Sequence, residues 1–313
     1  MPKALQSIDR TAVMALALLL CAAAMPPSHR ALASSSASGG NDHGAASHST
    51  LKPAAANAAD IPFNDYDAAD EQVLLALANQ ARAQAGAPPL AFDAGLSQAA
   101  RAHAEEMLTA RQLSHQFAGE PSLPQRLGSA THLLLDQEGE NVALDFDAEH
   151  GHQHLMLSPP HRANLLNPAY NVVGLGVVRS GDRLYIVQDF GHALPNHSAA
   201  EVKERIAAAV AQARHQANQP ELARHDFLSH DLPLADDAAC SMAQADKLST
   251  SLVHQLAQRF TVLTYTSLYP ETLPAEVGRI LGSRNPRNFS IGACYARTET
   301  YPTGVYWVVL SLE

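Results

Sequence analysis

The spacing of apolar positions predicts helices first and strands last, in an order that occurs twice along the chain. Leu74, Leu77, Ala78, Ala81 and Ala85 recur at helical spacing, and Gly86 followed by Pro88-Pro89 stops that helix. Asp93 is placed to cap a second helix whose apolar positions are Leu96, Ala99, Ala100, Ala104, Met107 and Leu108, with His103 among them. Ser158-Pro159 reads as an N-cap with proline in the first turn, opening a short helix through Leu166. The runs 172–178 and 184–190 are strand-like, and the turn Ser180-Gly181-Asp182 joins them into a hairpin. A third long helix follows from Ala199, with Val202, Ile206, Val210 and Ala213 on one stripe.

The later segment repeats this order. "NVVGLGVVRSGDRLYIVQDF" aligns with "NFSIGACYARTETYPTGVYWVVLSL", which matches Gly174 to Gly292 and Gly176 to Cys294. The pattern predicts an α+β fold followed by a second, degenerate α+β segment duplicated from the first, against the plainer reading of two unrelated segments.

The first sixty residues read differently. Lys3 and Arg10 precede an apolar run over 11–25, and Ala31-Leu32-Ala33 supplies the small-x-small pattern of a cleavage site. Residues 1–33 are therefore expected to be an export signal cleaved near Ala33. The rivals are a lipoprotein acylated at Cys21, which Leu20 disfavours, and an uncleaved anchor. Residues 34–62 are rich in Ser, Ala, Gly and Asn, with His43 and His48 among them, and are expected to be a disordered linker. Domains are then expected over 63–193 and 199–313.

The chain has 313 residues, 46% of them hydrophobic and 17% charged, so it carries enough apolar matter for real cores. Removing 1–33 leaves 18 basic and 30 acidic residues. That balance argues against a basic nucleic-acid face and against charge-driven binding to anionic membranes. No later stretch approaches a membrane span. Three cysteines exclude a disulfide-dense scaffold. Cys240 and Cys294 alone remain after cleavage. An oxidising compartment favours a bond between them, the alternative being two buried thiols.

Chemistry-bearing residues fall in ordered motifs. "LANQARAQAGAPPLAFDAGLSQAARAHAEEM", "LSH", "GENVA", "SPPHRANLLNPAYNVVGLGV" and "YIVQDFG" follow one another over residues 70–192. In that order they resemble the bacterial branch of the CAP superfamily, the SCP-domain group of cysteine-rich secretory, antigen 5 and pathogenesis-related proteins. The resemblance implies an α-β-α sandwich with a shallow cleft lined by two histidines and two acids. Carried over by motif, these are His115, Glu140 and His161. Ser158 stands where the eukaryotic pattern has its second acid, Leu155 where tryptophan is usual, and Pro160 where glycine is usual.

Two imidazoles and a carboxylate are a plausible set for zinc or another divalent ion, with His115, Glu140 and His161 as ligands. Glu140 and His161 are the candidate catalytic pair if the protein is an enzyme, which the sequence leaves open. The bland alternative has His161 and Glu140 bracing the local backbone, with Asn141 doing the same through its amide. Ser158 is a cap before it is a nucleophile. His103 reads as a satisfied core histidine. His150, His152 and His154 read as a solvated histidine-rich loop, or else as a second metal site or a substitute for the missing acid. Three functions follow: an exported protein binding a lipid, a peptide or wall fragment, or a metal ion in a cleft of His115, Glu140, His161, Ser158 and Asn141; a metal-dependent hydrolase; or a scaffold holding a protein partner through residues 199–313.

Overall fold

The computed structural model describes residues 14–15, 66–225, 233–283 and 286–313. The expected linker, and the expected signal apart from residues 14–15, lie outside the described residues. Met14–Ala15 form a two-residue strand, β1, parallel to the later β7.

Helix α1 (Ala68–Ala85) ends at Gly86, whose left-handed backbone, φ 74°, suits a residue without Cβ. After β2 (Ala91–Phe92), α2 (Ala94–Ala110) opens at Asp93, whose carboxylate accepts from the Leu96 N–H at 2.8 Å. Then come α3 (Leu123–Ala130), β3 (Leu134–Asp145), α4 (Ala148–Leu157), α5 (Pro159–Leu165), β4 (Val172–Ser180) and β5 (Arg183–Leu194). The expected hairpin is β4–β5, and Gly181 takes the positive φ that its turn requires.

These strands form a sheet in the order β2-β4-β5-β3, with β3 at its edge. Side chains alternate across the sheet. Val173, Leu175, Val177, Ile186 and Phe190 pack against Leu74 and Ala78 of α1, Ala148 of α4 and Leu165 of α5. Val142, Val178, Tyr185 and Val187 face Ala100, Ala104 and Met107 of α2. The fold is an α+β sandwich with helices on both faces. At Gly174 a Cβ would lie 2.1 Å from the Leu96 carbonyl carbon, so glycine is what lets α2 sit directly on β4.

The second segment follows the same plan with α6 (Ala199–Gln216), β6 (Ala223–Arg224), α7 (Ala235–Ala245), α8 (Ser251–Ala257), β7 (Thr261–Ser267), α9 (Ala275–Ser283), β8 (Asn288–Ala296) and β9 (Val305–Leu312). Its strands run β7-β9-β8-β6, with β1 on the outer side of β7. Both short strands, β2 and β6, pair parallel, and both hairpins pair antiparallel. Details repeat as well. Arg82 of α1 is buried and donates to the carbonyls of Pro88, Leu165, Asn167 and Tyr170, while buried Arg214 of α6 donates to those of Pro220 and Leu281. Gly292 matches Gly174, since its Cβ would meet the Ala235 carbonyl at the start of α7. Where Gly176 lies against Ala100, the second segment has Cys294, bonded to Cys240 of α7.

The two segments touch at the end of β3 nearest α3. Leu134 is buried in the core of the second sheet, and Arg297 donates to the carbonyls of Gly128 and Thr131 at the end of α3. The second segment thereby fixes the helix that carries Arg126.

Candidate functional site

Glu140 lies on edge strand β3, with its side chain only 4% exposed, on the face covered by α2 and α3. A lone carboxylate there would lose its hydration uncompensated. Here one oxygen accepts from His115 Nδ1 at 2.8 Å and the other from Arg126 Nη2 at 2.8 Å. His103 Nε2 stands 3.8 Å from the latter oxygen. Burial pushes the Glu140 carboxyl up, but the His115 hydrogen bond and the charges of Arg126, His103 and His115 outweigh it and hold the group below its ordinary value.

His115 shows the other side of this pair. Its hydrogen bond to Glu140 raises its pKa against the opposing effect of burial, and its side chain remains 57% exposed. With Nδ1 committed to the carboxylate, Nε2 is left for solvent or a ligand. His161, from α5, comes from the opposite helical layer. The two rings meet with centroids 6.5 Å apart and planes tilted by 47°. Burial, then the neighbouring His115 charge, lowers the pKa of His161. The site therefore sets a cation-prone imidazole beside a neutral-prone one.

Asn141, expected in the cleft with bracing as the alternative, ties neighbouring backbone together. Its amide donates to the His161 carbonyl at 3.0 Å and to Gln188 Oε1 at 3.2 Å, while Asn164 donates to both Asn141 Oδ1 and the Glu140 carbonyl. This network crosses to the face away from Glu140 and ties α5 to β3. Ser158 occupies the N-cap of α5, yet its side chain makes no capping hydrogen bond. His103 is buried and satisfied, with Nδ1 2.6 Å from Glu120 and Nε2 2.8 Å from the Ser114 carbonyl. The histidines at 150–154 are not in a loop. Asp147 caps α4, and Ala148, Gly151, His152 and Leu155 form its buried stripe, so tertiary packing turned the polar stretch into a helix.

The three-ligand metal set expected from His115, Glu140 and His161 is not assembled. Both Glu140 oxygens are already engaged, so the carboxylate stands behind His115 and orients it. Two imidazoles sharing a tetrahedral zinc have ring centroids roughly 5 Å apart, given bonds of about 2 Å. The 6.5 Å separation is wider than that. Among the described residues no group of three or more His, Cys, Asp or Glu is arranged to hold a metal.

Two acids escaped the sequence reading. Asp189 is wholly buried on β5, directly opposite Glu140. Burial, then the charge of Glu140, drives its pKa well above the ordinary value. Its signal was an acid in the largely apolar run "YIVQDFG". Register shows how the second segment differs. Gly174, Asp189 and Glu140 stand in line across β4, β5 and β3, and the matching line through Gly292 holds Val309 and Thr264.

Glu138 is the other. Burial raises its carboxyl from 4.5 to about 7, and one of its oxygens has no partner. As pH rises from about 4.5 to 7, the unfolded chain gives up this proton while the folded protein keeps it. The native state therefore loses stability through that window and carries the full cost above it. Glu138→Gln is expected to gain on the order of 2 kcal/mol at pH 8, with a much smaller gain at pH 5. Urea denaturation at both pH values checks this, and an equal effect at the two would contradict it.

Residues 75–190 match the family model described as CAP, the cysteine-rich secretory protein family. The chain is 32% identical over 112 residues to the uncharacterised protein YkwD of Bacillus subtilis (strain 168), covering 36% of this chain and 43% of that one. It thus spans less than half the length of that relative. An extracellular SCP-domain protein from Bacillus anthracis str. Ames is 28% identical, covers 40% of each chain and has a TM-score of 0.36. A cysteine-rich secretory protein from Staphylococcus aureus subsp. aureus Mu50 is 23% identical, covers 42% of this chain and 40% of its own, and has a TM-score of 0.34.

Proposed function

With residues 75–190 a bacterial CAP domain, we propose that this is an exported protein whose His115–His161 cleft binds a ligand presenting a carboxylate or phosphate. That group is common to peptides, wall fragments and anionic lipids. The carrying observation is the 2.8 Å bond from His115 Nδ1 to buried Glu140, which favours the protonated form of an exposed imidazole and aims it outward. His161 adds a second polar contact from the facing layer. Export rests on the N-terminal pattern of Lys3, Arg10, the apolar run and Ala31-Leu32-Ala33. No helix among the described residues is long and apolar enough to cross a membrane.

Ring-nitrogen NMR of the tag-free protein tests the reading, with muramyl dipeptide and phosphatidylglycerol vesicles as separate probes. The expected result is a saturable shift of the His115 and His161 resonances with one probe, lost in His115→Ala. If both probes leave those resonances unmoved, while the spectrum shows a folded protein, the reading fails.

A further inference from the structure

His150 and His154 stand one turn apart on α4, and the packing of that helix decides where they point. Gly151 faces the sheet so closely that a Cβ there would lie 2.5 Å from Ile186 Cδ1, and His152 and Leu155 are buried on the same stripe. His150 and His154 lie away from that stripe, with side chains 58% and 63% exposed. Residues at this spacing have Cβ atoms about 5–6 Å apart, close enough for two side chains to share one ligand.

Each ring is also held from behind. His150 Nδ1 lies 2.8 and 2.9 Å from the two oxygens of Asp147, the residue that caps the helix. His154 Nδ1 lies 2.5 Å from an oxygen of Asp145, whose side chain is buried at the end of β3. A carboxylate on one ring nitrogen fixes the tautomer, turns the other nitrogen outward and makes it the more basic donor. Neither Nε2 has a hydrogen-bond partner among the described residues.

We propose that His150 and His154 form a two-imidazole site for a borderline divalent ion of the zinc or copper(II) class, with Asp147 and Asp145 as the supporting carboxylates. Imidazole nitrogen suits these ions, and two histidines on one helix face are a known way of presenting it. Among the described residues no third His, Cys, Asp or Glu joins a metal set, so water completes the coordination. The site is separate from the His115–His161 cleft and does not depend on the ligand proposed there.

Zinc titration calorimetry on the tag-free full chain tests this. The expected result is one zinc equivalent more in the wild type than in His150→Ala/His154→Ala. That equivalent should persist in His115→Ala/His161→Ala, which separates it from the cleft. Asp145→Asn and Asp147→Asn should each weaken it by about 10–100-fold, the usual effect of removing such a support. Both histidines are exposed, so the double variant is expected to keep the wild-type circular dichroism. Unchanged zinc stoichiometry in His150→Ala/His154→Ala overturns the proposal. So does an unchanged affinity in the two Asn variants, because that marks an adventitious pair of surface rings.

Discussion

Glu140→Ala is expected to destabilise the protein by about 3–5 kcal/mol, the range for breaking a buried ion pair by removing one partner. Arg126 is buried, and Glu140 accepts its shorter hydrogen bond, 2.8 Å, against 3.2 Å to Glu120. Without Glu140, its Nη2 is left with the longer contact of 3.4 Å to the His115 carbonyl. Burying a guanidinium that has lost its main partner is where the free energy goes. His115→Ala removes an exposed ring from the same carboxylate, and surface changes of that kind stay within about 1 kcal/mol. Urea denaturation of the two variants at pH 7 separates them. An equal, small effect for both would mean that Glu140 does not organise the site.

The second large effect concerns Cys240–Cys294. The bond closes a loop of 54 residues, joining α7 to β8. In the chain-entropy account such a closure is worth about 4 kcal/mol through the unfolded state. Cys240→Ala/Cys294→Ala should therefore lose close to that amount, while the wild type measured in reducing agent moves the same way. Cys294 packs against the cluster of Ala239, Met242 and Trp307, so the double variant also loses sulfur contacts that the reduced wild type keeps. A loss below about 1 kcal/mol in both experiments would contradict the entropic account.

Much of the fold could be read from the chain because its signals are local. Asp93 and Gly86 mark helix ends by what their own backbones and side chains do, and Gly181 marks the hairpin in the same way. What stayed hidden was set by partners far along the chain. The β3 run contains Asp136, Gln137, Glu138 and Glu140, which no strand pattern favours, yet pairing with β5 holds eleven of the twelve residues of β3 in register, Asp136 alone being skipped at a shift. Helix α4 was obscured because Gly151 and His152 look polar or flexible in sequence, although the sheet needs a small residue and a ring at those places.

The site divides along the same line. The motifs pointed to His115, Glu140 and His161, whose side chains the fold brings near one another, and Asn141, expected in the cleft with bracing as the alternative, ties α5 to β3 through its amide. The role of Glu140 was not legible, since nothing in "GENVA" says that Arg126 from a separate helix will claim its second oxygen. Asp189 was missed for the reason that makes it unusual: strand register alone sets it against Glu140. The matching line in the second segment holds Thr264 and Val309, so that sheet forms with no acid at those places.

Buried Glu140 holds the exposed imidazole of His115 and favours its protonated form. An NMR-monitored pH titration of His115 in the wild type and in Glu140→Gln tests this most directly. The account predicts a midpoint above the usual 6.5 in the wild type, because the carboxylate favours the protonated ring, and a clear fall in the variant. A wild-type midpoint at or below 6.5 that Glu140→Gln leaves in place would contradict it.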